Sequence, residues 1–167
     1  MRLLNTCNRS LIQSKDEQTL LSEICRIAVE SGDYLMAWIG YAEQNTEKSI
    51  HIIAQAGYDE GYLSSNKFSW DDAVVIGRGP SGAAIRTGVC QINQNCYTNP
   101  NFSLWREEAI TRGYQSSISI PLTDKNQTLG VLNLYSSEPN SFDSEEISLL
   151  EEMASNLVVC SNKTITH

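Results

Sequence analysis

The two ends of the chain carry apolar residues at helical spacing. Residues 3–13 place apolar side chains three and four positions apart, which predicts a first amphipathic helix. Ser14 and Glu17 have the spacing of a capping box, so a second helix is expected to begin at Ser14 and to end at Gly32. Asp143 is the expected N-cap of a last helix, whose inward stripe is again apolar. The chain is therefore predicted to begin and end in helices.

Between these helices the pattern shortens to that of β-strands. Residues 34–41 are apolar on both faces, which predicts a central strand, and residues 50–56 predict its antiparallel partner. A second hairpin is predicted from residues 116–122 and 129–135, and a brief strand from residues 89–93. The predicted fold class is α+β, an α/β sandwich. Its central, mostly antiparallel sheet has five to six strands and carries the terminal helices together on one face.

Short helices and loops are expected to connect these strands. Residues 79–88 open with a proline and close with a glycine, which is typical of a short helix. Residues 104–110 predict a second short helix, closed by Gly113. Residues 57–80 contain Trp70 among Gly, Asp, Ser and Tyr, and predict a loop or short helix over the sheet.

The second predicted hairpin has one apolar and one polar face. Serines alternate with isoleucines over residues 117–120, and leucines alternate with an asparagine and a tyrosine over residues 132–135. If the isoleucines and leucines pack under the terminal helices, the opposite face carries Ser117, Ser119, Asn133 and Tyr135. Buried polar groups on that face require partners, which a bound ligand or water supplies.

Composition and charge narrow the range of functions. The 167 residues suffice for one domain with its own core. Twelve Lys and Arg against twenty Asp and Glu give a net charge of −8, which disfavours nucleic acid and anionic membrane surfaces as partners. The longest apolar stretch is six residues and no signal peptide is apparent, so the protein is expected to be cytoplasmic.

Several stretches of the sequence resemble GAF domains, the sensor modules of bacterial sensor histidine kinases and diguanylate cyclases. They are residues 35–41, 77–88, 105–109, 112–122, 129–136 and 142–143. The resemblance implies a non-catalytic sensory function in signal transduction, as in a two-component system, and a ligand pocket on the sheet face opposite the terminal helices. It divides the chain into an N-terminal signalling and dimerisation helix (1–13), a sensor domain (14–160) and a tail (161–167).

The pocket is predicted to lie between the sheet and residues 62–75 and 102–114. Its expected lining residues are Trp38, Trp70, Trp105, Tyr114, Ser117, Ser119, Asn133 and Tyr135. The expected partners are an unknown small molecule and a kinase or cyclase output domain, in a longer chain or as a separate protein.

A parallel homodimer through the terminal helices is also predicted. Leu4, Cys7 and Leu11 of the first helix exceed what a sheet already covered by the second helix can bury. Leu149 and Val159 lie off the inward stripe of the last helix.

Two alternative functions remain open. Some GAF proteins are free methionine sulfoxide reductases, and Cys90 and Cys96 are the candidate redox pair for such an enzyme. The other alternative is a GAF fold used only for dimerisation.

Cofactor chemistry finds little support in the sequence. No Cys-His pair is present for bilin attachment, and His51 and His167 are poor candidates for a haem ligand. The five cysteines include no C-x-x-C pair, so no metal site is expected. The string Gly77-x-Gly79-x-x-Gly82 matches a dinucleotide fingerprint, but no parallel strand unit surrounds it.

Overall fold

Five antiparallel strands form a single sheet in the order β2-β1-β5-β4-β3. The computed structural model describes residues 2–13 and 16–165. The strands are β1 (Met36–Ala42), β2 (Ile50–Gly57), β3 (Gln91–Asn93), β4 (Ser116–Asp124) and β5 (Gln127–Ser136). The sheet confirms the predicted fold class, and both predicted hairpins form, as β1–β2 and β4–β5.

The helices divide between the two faces of the sheet. The long helices α1 (Arg2–Gln13), α2 (Glu17–Gly32) and α6 (Ser144–Ile165) pack together on one face. The opposite face carries the short helices α3 (Tyr62–Ser65), α4 (Pro80–Thr87) and α5 (Arg106–Thr111) and two 3-10 turns (Val75–Arg78 and Pro100–Phe102).

The alternation of side chains along the strands produces two separate cores. Ala37, Ile39, Ile118, Ile120, Leu132 and Leu134 belong to the core under the long helices. Met36, Trp38, Val131 and Tyr135 point the other way, into a core beneath the short helices. β1 is therefore apolar on both faces because each face packs against a different layer.

Two aspartates cap the long helices at their N-termini. Asp143 Oδ1 accepts a hydrogen bond from the Glu146 amide at 2.8 Å, and α6 begins at the next residue as predicted. The cap of α2 is Asp16, whose Oδ1 accepts from the Thr19 amide at 2.8 Å. The predicted start of this helix at Ser14 is therefore wrong, because Asp16 supplies the capping oxygen; Ser14 itself lies outside the described residues.

Two apolar residues of helix α1, Leu3 and Cys7, are buried within a single copy of the chain. The helix packs against α2 and α6, and both residues belong to the core under the long helices. Asn156 of α6 donates a hydrogen bond to Asn8 at 3.1 Å across this contact. The expectation that Cys7 needs a second copy to cover it is therefore wrong. Leu149 is partly buried, and the side chains of Leu4, Leu11 and Val159 lie outside the described part of the structure.

Within the described ranges, no helix is long and apolar enough to cross a bilayer.

Replacing the α6 cap tests its contribution to the fold. Asp143→Ala is expected to lower the free energy of unfolding by about 1 kcal/mol, because the Glu146 amide loses its acceptor. Asp143→Asn keeps that acceptor and is expected to retain most of the stability. Urea denaturation measures both variants, and an equal loss in the two would contradict a capping role.

Candidate functional site

An aromatic cluster fills the space between the sheet and the short helices. We call the segments 58–88 and 95–114, which lie over this face, the cover. The sheet contributes Trp38 and Tyr135, and the cover contributes Tyr62, Phe68, Phe102, Trp105 and Tyr114. Neighbouring rings lie 4.8 to 6.4 Å apart between centroids. Phe68 is partly buried, whereas the other six rings are buried.

A small cavity remains among these rings. Its volume is about 10 Å³, which is roughly the space of one water molecule. Four of the predicted site residues line it, namely Trp105, Ser117, Ser119 and Tyr135. The site is therefore closed in this conformation, because side chains of the cover occupy the room that a larger ligand would need.

The other four predicted residues lie around this cavity rather than on its wall. Trp38, Tyr114 and Asn133 are buried on the same face of the sheet. Trp70 lies at the edge, where its indole nitrogen donates to the Glu43 carbonyl at 3.0 Å. The Lys48 ammonium stands 5.1 Å from the centre of the Trp70 ring. These contacts with Glu43 and Lys48 hold Trp70 at the edge of the cover.

A layer of polar side chains lies on the sheet beneath the cover. The hydroxyls of Ser81 and Ser119 both donate to Asn133 Oδ1, at 2.9 and 2.5 Å. Asn133 is 1% exposed, and its Nδ2 has no hydrogen-bond partner. An unpaired buried donor of this kind costs about 1–3 kcal/mol. The side-chain amide of Asn133 therefore retains hydrogens that it can donate.

Two tyrosine hydroxyls border the same space. Tyr135 accepts a hydrogen bond from the Trp38 indole at 3.0 Å. The Tyr62 hydroxyl is fully buried near Tyr135 and makes no hydrogen bond of ordinary geometry. Desolvation raises the pKa of both phenols well above the usual value. Both groups therefore stay protonated at physiological pH and retain a hydrogen to donate.

The N-terminus of α4 reaches the cavity because three glycines allow close packing around it. A Cβ on Gly79 would stand 2.1 Å from the Trp105 ring, and one on Gly82 would stand 2.3 Å from the Gly77 carbonyl oxygen. A Cβ on Gly77 would similarly meet the Asp71 carbonyl oxygen at 1.9 Å. The G-x-G-x-x-G string thus begins within the 3-10 turn Val75–Arg78 and serves packing here, with no strand among the described residues leading into it.

Arg112 anchors the cover at α3. Its guanidinium donates to the carbonyls of Asp59 and Glu60 and to the Glu108 carboxylate, the last at 2.6 Å. The side chain is only 9% exposed and lies over the Tyr62 ring at 5.8 Å. A single residue therefore ties the segment that carries Tyr62 to helix α5.

The two candidate redox cysteines lie on opposite sides of the sheet. Cys90 packs against the core under the long helices, and its thiol lies 3.4 Å from the Glu151 carboxylate of α6. Cys96 is buried in the aromatic core, where Asn93 donates to its sulfur at 3.3 Å. Burial raises the pKa of each thiol to about 12. Both are therefore protonated at neutral pH and are weak nucleophiles.

Sequence reasoning missed Tyr62, Phe68, Ser81 and Phe102, which all line the cavity. Tyr62 and Phe68 fall in a stretch without clear periodicity, so no pattern signal identifies their direction. Ser81 had a usable signal, since it directly follows the proline that starts a predicted helix. Among the described residues no three His, Cys, Asp or Glu side chains cluster as a metal site would require.

The architecture defines the class of protein: an α+β domain with long helices on one face of its sheet and a covered site on the other. The sequence model of the family described as GAF domain matches residues 14–160, and the chain belongs to this family. No individual curated protein matches the sequence.

Solved structures at low sequence identity share the fold. Free methionine-R-sulfoxide reductase from Neisseria meningitidis, solved with its substrate, is 17% identical with a TM-score of 0.80, over 98% of this chain and 89% of that one. The GAF domain of an Acinetobacter phosphoenolpyruvate-protein phosphotransferase is 14% identical with a TM-score of 0.75, over 99% and 93%. A GAF sensor protein from Burkholderia vietnamiensis, described as putative, is 18% identical with a TM-score of 0.74, over 99% and 95%.

Removing the Arg112 guanidinium tests how the cover is held. Arg112→Met keeps the apolar stem but loses the bonds to Asp59, Glu60 and Glu108, and is expected to cost about 2 kcal/mol of stability and to speed proteolysis of residues 58–66. Arg26→Met is the matched control, because Arg26 is 48% exposed and its loss is expected to cost less than about 0.5 kcal/mol. Urea denaturation and limited proteolysis measure both, and equal behaviour of the two variants would contradict the anchoring role.

Proposed function

We propose that this chain is a non-catalytic sensory GAF domain that binds a small molecule on the covered face of its sheet. The observation that carries the proposal is the unpaired Nδ2 of Asn133, buried in a polar layer beneath aromatic rings. Binding sites for small molecules typically combine apolar walls with a few convergent polar groups. A ligand or its bound water that reaches this amide removes the cost of leaving it unpaired.

The placement of β5 supports a relay from this site to the terminal helices. Asn133 and Tyr135 face the site, whereas Leu132 and Leu134 belong to the core under the long helices. A shift of β5 on ligand binding is therefore transmitted to both faces, because packed interiors deform little. Beyond β5 the chain passes through residues 137–143 into α6, and Tyr34, which lies between α2 and β1, donates a hydrogen bond to Glu146 of α6 at 2.7 Å.

The signalling partners are part of the same proposal. An output domain of the kinase or cyclase type, attached or separate, would receive the change through α1 or α6. A parallel homodimer through these helices remains a prediction. Its support now rests on the partly buried Leu149 rather than on Cys7.

The redox alternative draws on two neighbours that are free methionine sulfoxide reductases, at 17% and 15% identity. Its candidate cysteines in this chain lie in different cores and carry protonated thiols. Thiol chemistry requires a thiolate that can reach its partner, so the binding function has better support.

Native mass spectrometry of the protein purified from cells tests ligand binding. We expect a retained small molecule that is released on denaturation, and its loss in Asn133→Leu, which replaces the amide by an apolar side chain of similar size. Asn156→Leu, on the opposite face, is the control and is expected to keep the ligand. A bare chain mass, with no change in Tm on incubation with a small-molecule extract of cells, would contradict the proposal.

Incubation with free methionine sulfoxide and a thiol reductant tests the absence of catalysis. We expect no turnover above the reductant alone, because both thiols are protonated at neutral pH. Turnover that disappears in Cys90→Ser or Cys96→Ser would show that the protein is a reductase.

A further inference from the structure

The cavity beneath the cover is lined by hydrogen-bond donors that lack acceptors. The amides of Ser81 and Gly82 lie in the first turn of α4, whose N-cap Gly79 offers no side-chain acceptor, and the first intrahelical-type bond is that of the Ala83 amide. The Tyr62 side chain lines the same cavity and is fully buried, and its hydroxyl lies near that of Tyr135 without a hydrogen bond of ordinary geometry. The Ser117 side chain also lies on the wall of this cavity.

No charged side chain among the described residues opposes these donors on the cavity wall. The residues of the wall are aromatic residues, serines, two glycines, a proline and an isoleucine. The partial positive charge of the α4 N-terminus is therefore not neutralised by an acidic side chain on the wall, and no basic side chain there adds to it. Free amides at a helix N-terminus, joined by buried hydroxyls, favour an acceptor that carries negative charge.

Phe68 occupies the space next to these donors. Its ring stands 4.8 Å from that of Trp38 and stacks on Trp105 at 6.3 Å, so it sits inside the aromatic cluster. It is the ring of this cluster that is only partly buried, and it lies between α3 and the next turn, outside any helix or strand. Because the free cavity holds about one water, a larger ligand requires a ring to leave, and Phe68 is the ring of the cluster that already reaches solvent.

We propose that the ligand is a small carboxylic acid. Its carboxylate binds the Ser81 and Gly82 amides and the Tyr62 hydroxyl, and its apolar part takes the space that Phe68 fills in the closed form. This inference rests on the proposed sensory function and adds the chemical class of the ligand to it. The available room, one phenyl ring plus about one water, limits the acid to roughly the size of benzoate.

Removing the Phe68 ring makes this class directly testable. Phe68→Ala is expected to open a permanent space into which benzoate fits, with its ring in place of the lost phenyl. Benzamide has nearly the same shape without the charge. We expect isothermal titration to give benzoate an affinity at least tenfold above that of benzamide, because hydrogen bonds to a charged acceptor are worth about 1.5–3 kcal/mol.

A second substitution separates ligand binding from structure. Tyr62→Phe in the Phe68→Ala protein is expected to weaken benzoate binding about tenfold without lowering the Tm of the free protein, because the removed hydroxyl makes no hydrogen bond of ordinary geometry there. A fall in Tm with unchanged benzoate affinity would assign Tyr62 a structural role and overturn its part in the site.

The remaining outcomes distinguish this inference from the proposed function. Equal affinity for benzoate and benzamide would contradict the preference for a carboxylate but would still support a binding site at this position. Binding of neither probe would overturn both the role of Phe68 in filling the ligand space and the choice of a carboxylate. The sensory function is tested separately, by the retained molecule in native mass spectrometry. If Phe68→Ala does not fold, acetate and acetamide are titrated into the wild-type protein and the NMR signals of the Ser81 and Gly82 amides are followed. Shifts with acetate alone support the inference. Equal shifts with both compounds, or no shifts, overturn it.

Discussion

The position of β5 between β1 and β4 is the constraint on which the rest of the structure depends. All of its central residues pair on both sides, so that Asn133 lies between Trp38 and Ser119. The approach to β1 is close at Gly130, where a Cβ would stand 2.3 Å from the Gly40 carbonyl oxygen. A slip of one residue would turn Asn133 and Tyr135 under the long helices and expose the leucines to the site. The register therefore fixes at once where the core and the site lie.

The two layers on this sheet are held by different kinds of interaction. The long helices bury continuous apolar stripes against the first core. The cover contains buried rings as well, but its segments are tied down by polar bonds from Arg112 to the carbonyls before α3 and from Arg86 to the carbonyls of Trp70 and Gly77. Bonds of this kind exchange readily for bonds to water. We therefore expect the cover to open at a lower free energy than the layer of long helices.

Much of the fold and one face of the site follow from local pattern. The alternation over residues 117–120 and 132–135 correctly separates the two faces, because a strand has a period of two whatever covers it. The Asp143 cap was equally readable from its spacing to Glu146. These features depend on neighbours in sequence, which is why sequence alone predicts them.

The features that the sequence did not reveal depend on distant contacts. Cys7 is buried because α1 packs against both α2 and α6, and α6 lies more than a hundred residues away in the sequence. Phe68 belongs to a segment without periodicity, and only the fold brings it onto Trp38 and Trp105. Trp70 is of a residue type that often lines pockets. Its indole nitrogen instead donates a hydrogen bond to the Glu43 carbonyl, which holds the side chain at the edge of the cover.

Hydrogen exchange of the free protein, followed by mass spectrometry, tests most directly whether the covered face is a binding site. Entry of a ligand requires the segment that carries Phe68, residues 58–79, to move away from the sheet while β5 stays folded. We expect amides of this segment to exchange through an opening of lower free energy than those of β5 and α6. Exchange of all three regions only through global unfolding would contradict it, because the aromatic cluster would then be a permanent core with no route for a ligand.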